Sequence, residues 1–227
     1  MIQALVLKVR DYRETSVMVS LFTAEQGRIN AVYKGVRRPR QARRVETFCL
    51  ADVDLYGRGG LLNLGKYEFQ YAFALHGDRL AAGYYMLELI VRALGERQVE
   101  RAIYEQCLIS LTMLEQGNVI EALRRFERRM LEELGYAFDC SVDALRQAPV
   151  VAEQHYLYEP GLGMVTASNA ANAFSGRALQ AVAAQDYGSS EAQVAARKIY
   201  QQALQPLIGD GPLISRSMLR TTSKVRS

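Results

Sequence analysis

The chain has 227 residues, of which 49% are hydrophobic and 23% charged, and its net charge is +4. This balance is typical of a globular protein and excludes a wholly disordered chain. The longest apolar run covers only residues 71–75, far short of the roughly 18 residues that cross a bilayer. The N-terminus has no basic leader before an apolar stretch, and three widely separated cysteines favour a reducing compartment. We therefore expect a cytoplasmic protein that does not enter a membrane.

Short strands separated by turns are predicted for the first seventy residues. Alternating or continuous apolar runs mark five of them, and the longest connection follows the third. This pattern predicts a small closed barrel. A parallel α/β sheet is not expected, because no helix-length segment separates the strands. The five predicted strands begin at about Ala4, Val17, Arg28, Phe48 and Leu61.

Positive charge is concentrated in the connection after the third strand. Residues 1–75 carry +5, residues 76–212 carry −5, and residues 213–227 carry +4 without an acidic residue. Gly35 and Pro39 predict a loop, and arginine is well suited to phosphate oxygens. The loop therefore indicates a polyanion partner, while a solvated loop or a basic targeting or docking segment stays open. The cations of this basic segment are Lys34, Arg37, Arg38, Arg40, Arg43 and Arg44.

Aromatic residues near this loop bear on nucleic-acid binding, because bases stack on aromatic rings. Tyr12 and Tyr33 lie near predicted strand ends beside the basic segment and are candidate stacking residues. The aromatics that alternate along residues 67–73 are predicted instead to form a core stripe.

The apolar period becomes helical from residue 78 onward. Helices are predicted over about residues 80–94, 103–114 and 120–134, and two more over about residues 175–184 and 191–207. Between these two groups, residues 155–158 and 164–167 flank a Gly- and Pro-containing turn that predicts a hairpin.

Four arginines of the third predicted helix are expected opposite its apolar face. Three have acidic partners at i±4, whereas Arg124 has only Glu127 at i+3. A surface helix with many ion pairs is the simplest interpretation. The alternative is a cationic rim beside an apolar groove that would bind an acidic peptide. The other arginines are Arg125, Arg128 and Arg129.

Sequence signatures of catalysis are not found. The chain has no Gly-Lys-Ser or Gly-Lys-Thr loop, no dinucleotide fingerprint and no Cys-x-x-Cys pair. Its only histidines, His76 and His155, are isolated. We therefore expect no enzyme activity, no cofactor and no metal site.

Three segments carry a resemblance to a known family. Tyr12–Gly35, followed by Val36-Arg37-Arg38, resembles the N-terminal barrel of the RecO family of DNA repair and recombination mediators. The stretch from Ala122 to Tyr136 resembles the family's helical core, and Gly211–Ser217 resembles its ending. The resemblance implies an α+β protein with a five-stranded OB-fold barrel over residues 1–76. A mainly α-helical domain over residues 77–227 would include a small hairpin-containing lobe at about 140–172 and a basic C-terminal tail.

The resemblance also implies a function. The protein would bind single- and double-stranded DNA, anneal complementary strands and bind the C-terminal tail of single-stranded DNA-binding protein (SSB). With RecR it would assist RecA loading onto SSB-coated DNA, in the bacterial cytoplasm and on the nucleoid when acting on DNA. The basic segment, with Tyr12 and Tyr33, is the expected DNA site, and Arg124 is the expected SSB-tail contact.

Two departures from the family pattern and two rival functions remain. Some members carry a four-cysteine zinc site, which three scattered cysteines cannot build, so a zinc-free form is expected. Val45-Glu46-Thr47-Phe48 stands where the family often has Leu-Gln-Pro-Phe, so the register of the fourth strand is less fixed. An RNA-binding or ribosome-associated adaptor would also suit a basic barrel loop. A metal-dependent nuclease would use acids such as Asp52 and Asp54.

Overall fold

The computed structural model describes residues 1–35, 45–169 and 172–215. The chain forms two compact units. The barrel unit comprises Met1–Gly117 and Pro212–Ser227, and the helical unit comprises Asn118–Gly211. The expected domain boundary at 76/77 lies where strands are followed by helices. The first two helices after this position belong to the same compact unit as the barrel.

Five strands close into a barrel in the order β1-β2-β3-β5-β4. The β3–β5 pair is parallel, the other pairs are antiparallel, and β1 closes the barrel against β4. The predicted five-stranded OB-fold barrel is confirmed. The strands are β1 (Ile2–Tyr12), β2 (Ser16–Thr23), β3 (Gly27–Tyr33), β4 (Cys49–Tyr56) and β5 (Leu61–Ala72).

Alternate residues of the strands fill the barrel. Each fully buried aliphatic side chain contributes roughly 1.5–3 kcal/mol of transfer free energy, so this core holds the five short strands together. Along β4 the inward positions are occupied by small residues, and Cys49, Ala51 and Val53 are all buried. The residues buried on β1 to β3 include Ala4, Val6, Val19, Leu21, Ile29 and Ala31.

The predicted aromatic core stripe on β5 is wrong. Tyr67 and Phe73 are buried, but Phe69 is 48% exposed and Tyr71 is 47% exposed. The pairing register of β5 shifts here, since Tyr71 lies opposite Leu50 whereas Phe69 lies opposite the next residue of β4. One extra residue on β5 is typical of a β-bulge, which interrupts the strict alternation of side chains.

The first two predicted helices, α1 (Asp78–Ala93) and α2 (Arg101–Glu115), belong to the barrel unit. The connection between them packs on the start of β3. The Arg97 N–H donates to the Arg28 carbonyl at 2.8 Å, and Arg28 Nε donates to the Leu94 carbonyl at 3.2 Å. A Cβ on Gly27 would lie 1.9 Å from the Gln98 carbonyl oxygen. Only glycine therefore allows this close approach.

The helical unit combines three helices with a small sheet. Its helices are α3 (Val119–Glu133), α4 (Gly176–Ala183) and α5 (Ser190–Ile208), and all three were predicted. The sheet has the order β10-β8-β9-β6-β7, in which β8 and β9 form the predicted hairpin. Three two-residue strands were not predicted. The strands are β6 (Val142–Asp143), β7 (Ala148–Pro149), β8 (His155–Glu159), β9 (Gly163–Thr166) and β10 (Phe174–Ser175).

Helix capping explains where α4 and α5 begin. The Ser175 hydroxyl accepts a hydrogen bond from the Ala178 N–H, and the Ser189 hydroxyl accepts one from the Ala192 N–H. No helix within residues 1–35, 45–169 and 172–215 has the length and apolar composition needed to span a membrane.

Candidate functional site

A cleft of about 730 Å³ lies at one end of the barrel, where β3 leads into the basic segment. It forms because β1 and β2 are joined by a tight turn that Tyr12 and Ser16 close as paired residues. Arg13 in this turn has a positive φ of 55°. We call this site the barrel cleft. Its lining residues are Tyr12, Arg13, Glu14, Thr15, Ser16, Val32, Lys34 and Gly35.

The barrel cleft combines an aromatic ring with two cations. The Arg13 guanidinium carbon lies 5.3 Å from the centroid of the Tyr12 ring, which is cation–π geometry. Lys34 is exposed and also lines the cleft. The structure thus brings together Tyr12 and Lys34, which were predicted, and Arg13, which was missed. Arg13 could have been found from the sequence, because it directly follows Tyr12 at the end of a predicted strand.

Five of the predicted DNA contacts belong to the basic segment beyond Gly35. Arg37, Arg38, Arg40, Arg43 and Arg44 lie outside the described residues. Their role stays a prediction from the sequence.

Tyr33 is only 4% exposed, and its ring packs in the barrel core with its centroid 6.0 Å from that of Tyr67. A base cannot reach a ring face in this position, so the stacking role expected for Tyr33 lacks structural support.

Phe69 and Tyr71 were predicted to lie in the core, but both rings are exposed on β5. The Tyr71 hydroxyl donates to a Glu115 carboxylate oxygen at 2.9 Å. This hydrogen bond raises the pKa of Tyr71, so the phenol stays protonated at neutral pH. Glu115 also accepts from the Ala74 N–H at 2.6 Å. The bulged end of β5 is therefore fixed to the end of α2.

The helical unit contains a second cavity, of about 520 Å³, which we call the helical pocket. Its walls combine apolar side chains with charged ones, among which Arg128 Nε donates to Glu132 at 2.6 Å. Burial raises the pKa of the Cys140 thiol in its wall to about 12, so this thiol is protonated. The pocket is lined by Arg128, Leu131, Glu132, Ala137, Phe138, Asp139, Cys140, Val182, Ala183 and Tyr200.

Arg124 lies behind the helical pocket and not on the surface of α3. It is 6% exposed, its Nε lies 3.0 Å from a Glu127 carboxylate oxygen, and Glu127 is fully buried. The Arg124 guanidinium carbon is 5.6 Å from the Tyr200 ring centroid. The expectation that Arg124 lies opposite the apolar face is wrong. The sequence did distinguish Arg124 from the other three arginines of α3, since it is the one without an acidic partner four residues away.

The three other arginines of α3 form the ion pairs that their spacing predicted. Arg125 pairs with Glu121 at 2.6 Å, and Arg129 pairs with Glu133 at 3.0 Å. These pairs are about half exposed, so each contributes little to stability.

Within the described ranges, no three His, Cys, Asp or Glu side chains cluster in a way that could hold a metal ion. The two carboxylates considered for a nuclease both have partners. Asp52 accepts from Gln70 Nε2 at 2.7 Å, and Asp54 pairs with the Met1 amino group at 3.2 Å.

Comparisons with known proteins cover nearly the whole chain. The family model "Recombination protein O N terminal" matches residues 1–73, and "Recombination protein O C terminal" matches residues 75–208. Curated relatives include the DNA repair protein RecO of Pseudomonas putida strain F1, which is 38% identical over 231 residues. The DNA repair protein RecO of Pseudomonas entomophila is 37% identical over 231 residues. In both comparisons the match covers 96% of this chain and 96% of the relative.

Proposed function

Because the chain belongs to the Recombination protein O (RecO) family and so has a role in DNA repair and recombination, we propose that it is a recombination mediator. It binds single- and double-stranded DNA and anneals complementary strands in the bacterial cytoplasm. It also binds the SSB tail, and with RecR it assists RecA loading onto SSB-coated DNA.

The observation that carries this proposal is the barrel cleft at the base of the basic segment. Two complementary strands repel each other through their phosphates. Cations that contact those phosphates neutralise part of the charge and release condensed counterions. Contacts to the backbone leave the base edges free to pair. Lys34 and Arg13 supply such cations in the barrel cleft, and the Tyr12 ring offers a surface for one stacked base. Annealing by this route needs no covalent chemistry.

The test is annealing of complementary SSB-coated oligonucleotides in the absence of ATP. We expect the chain to accelerate annealing, and the variant Arg37→Glu, Arg38→Glu, Arg40→Glu to lose most of this effect. A matched control, Arg177→Glu, Arg197→Glu, Lys198→Glu, changes the charge equally at exposed positions of the helical unit. Equal loss in both variants would contradict a role for the basic segment, and no acceleration by the unsubstituted chain would contradict the proposal. A preference for RNA over DNA in competition would favour an RNA-binding adaptor.

The helical pocket supports the SSB-tail part of the proposal. A tail that is acidic with an apolar end needs an apolar cavity beside a cation. Leu131, Phe138 and Val182 supply apolar lining, and Arg128 lines the same pocket. Arg124 acts from behind, since its guanidinium lies over the Tyr200 ring of the pocket wall.

Tail-peptide binding separates these two roles. Arg128→Ala is expected to weaken binding through lost charge, and Arg124→Ala through a displaced Tyr200 ring. Both variants should keep nearly full affinity for bare DNA. Equal loss of peptide and DNA binding would contradict the assignment of two separate sites.

A further inference from the structure

The outer face of strands β1, β2 and β3 continues from the barrel cleft along the side of the barrel. Successive side chains of a strand point to opposite faces. Val9, Val19 and Ala31 pack in or against the barrel core, so the residues on either side of each point outward. We call this outer face the β1 tract. Its outward residues are Lys8, Arg10, Tyr12, Met18, Ser20 and Asn30.

Strand pairing sets the residues of the β1 tract side by side in rows. Lys8, Ser20 and Asn30 form one row across the three strands. Arg10 and Met18 lie in the next row, where Arg10 Nη2 donates to the Met18 sulfur at 3.3 Å. The row after that belongs to the barrel cleft, so the tract leads directly out of the cleft.

The cations of the tract and the cleft are not neutralised by carboxylates. Among the described residues, none of the four forms an ion pair, whereas Lys66 and Arg101 elsewhere in the barrel unit each lie within 4.0 Å of a carboxylate oxygen. Two carboxylates lie at the ends of the face, Glu14 in the cleft and Glu96, which accepts from Asn30 Nδ2. The four cations are Lys8, Arg10, Arg13 and Lys34.

This combination of groups suits an unpaired polynucleotide strand. Lys8 and Arg10 are exposed, and alternate residues of a strand lie about 6.8 Å apart. That distance equals two steps of about 3.4 Å between the phosphates of a stacked strand. Tyr12 and Met18 are partly exposed beside these cations and offer apolar contact to the faces of bases. A duplex hides its base faces by stacking, so only an unpaired strand uses both the cations and the apolar groups.

We propose that the β1 tract guides a single strand of DNA out of the barrel cleft, with its backbone along Lys8 and Arg10 and its bases over Tyr12 and Met18. This inference rests on the DNA binding proposed above and adds a path that the strand follows. The distance from Lys8 to Tyr12 along β1 is about 14 Å, which accommodates about four nucleotides of a stacked strand. Contacts to phosphates and to base faces leave the base edges open to a complementary strand.

The first experiment measures binding of an oligothymidylate of about 12 nucleotides by fluorescence anisotropy with the full chain, from about 50 to about 400 mM KCl. The tract variant is Lys8→Gln, Arg10→Gln, which removes two phosphate contacts. The slope of log K against log[salt] should become shallower by about 1.4, at about 0.7 per contact. The association constant at about 0.1 M salt should fall about 25-fold, because each such contact contributes about fivefold there relative to 1 M salt.

A matched control removes the same charge from another part of the barrel unit. Lys66→Gln, Arg101→Gln changes two exposed side chains that already have acidic partners, and its slope should stay nearly unchanged. Equal flattening in both variants would show that net charge alone governs binding and would overturn the tract. An unchanged slope in the tract variant would overturn it too and leave the proposed function standing. If the unsubstituted chain bound no DNA, both would be overturned.

The second experiment tests whether the tract binds an unpaired strand. Tyr12→Ala, Met18→Ala removes the apolar groups without changing the charge. Affinity for the single strand should fall about 5- to 150-fold, the contribution of one stacked base, whereas affinity for a duplex of the same length should change less than about twofold. Equal loss for both forms would overturn the assignment of an unpaired strand. Should this variant fail to fold, as judged by circular dichroism, the tract variant, whose substituted side chains are exposed, still decides the proposal.

Discussion

The buried Arg124–Glu127 pair allows a quantitative prediction about the helical unit. The Arg124 side chain is 7% exposed and that of Glu127 is 0% exposed, so neither charge is solvated. Arg124 Nη1 is buried and has no hydrogen-bond partner among the described residues. Arg124→Ala leaves the Glu127 charge in a poorly solvated site. Breaking a buried pair in this way costs about 3–5 kcal/mol.

Two matched variants separate the cost of a buried, unpaired charge from the contribution of an ion pair. Arg124→Met combined with Glu127→Leu removes both charges and keeps similar volume, and we expect it to lie within about 1 kcal/mol of the unsubstituted chain. Arg125→Ala breaks the exposed pair with Glu121 and should cost less than about 1 kcal/mol.

Urea unfolding followed by circular dichroism measures these differences, and hydrogen exchange of the α3 amides assigns them to the helical unit. A cost for Arg124→Ala no larger than that for Arg125→Ala would refute the reasoning. A double variant as unstable as Arg124→Ala would show that the buried charge of Glu127 is not the cause.

Two further predictions concern close packing and pH. Gly27→Ala forces a Cβ against the Gln98 carbonyl at a φ of +64° and should cost about 2–4 kcal/mol in urea unfolding, whereas Gly60→Ala, with open space around it, should be nearly neutral. Although burial alone would raise it, the pKa of Asp143 lies below its ordinary value of 3.8 because Thr166 and two backbone N–H groups donate to the carboxylate. The Asp143 carboxylate therefore makes its full contribution to the free energy of unfolding above about pH 4, and this contribution is lost as pH falls through the lowered pKa. Acid unfolding of Asp143→Asn should show a weaker pH dependence in this range, and an unchanged profile would contradict this.

Regular periodicity explains why much of the fold could be predicted. The barrel strands alternate and are separated by turn residues, and the five helices repeat apolar residues at helical spacing. The short strands β6, β7 and β10 have two residues each and carry no period to detect.

Features that depend on contacts distant in sequence could not be predicted. The β-bulge between Phe69 and Tyr71, opposite Leu50 and Ala51, interrupts the alternation of side chains on β5, and nothing local to β5 marks it. Arg124 is buried because Tyr200, far along the chain, lies over its guanidinium. Ser215 binds Glu88 across more than a hundred residues. The basic tail therefore looked separate from the barrel in sequence, although its first residues pack on α1.

Salt dependence of single-stranded DNA binding tests the central claim most directly, namely that the barrel unit holds the DNA backbone by charge. The six cations of the basic segment alone predict that log K falls against log[salt] with a slope of about −4 or steeper. Glutamate at positions 37, 38 and 40 should make this slope shallower. A slope between zero and about −1 for the unsubstituted chain would contradict the claim.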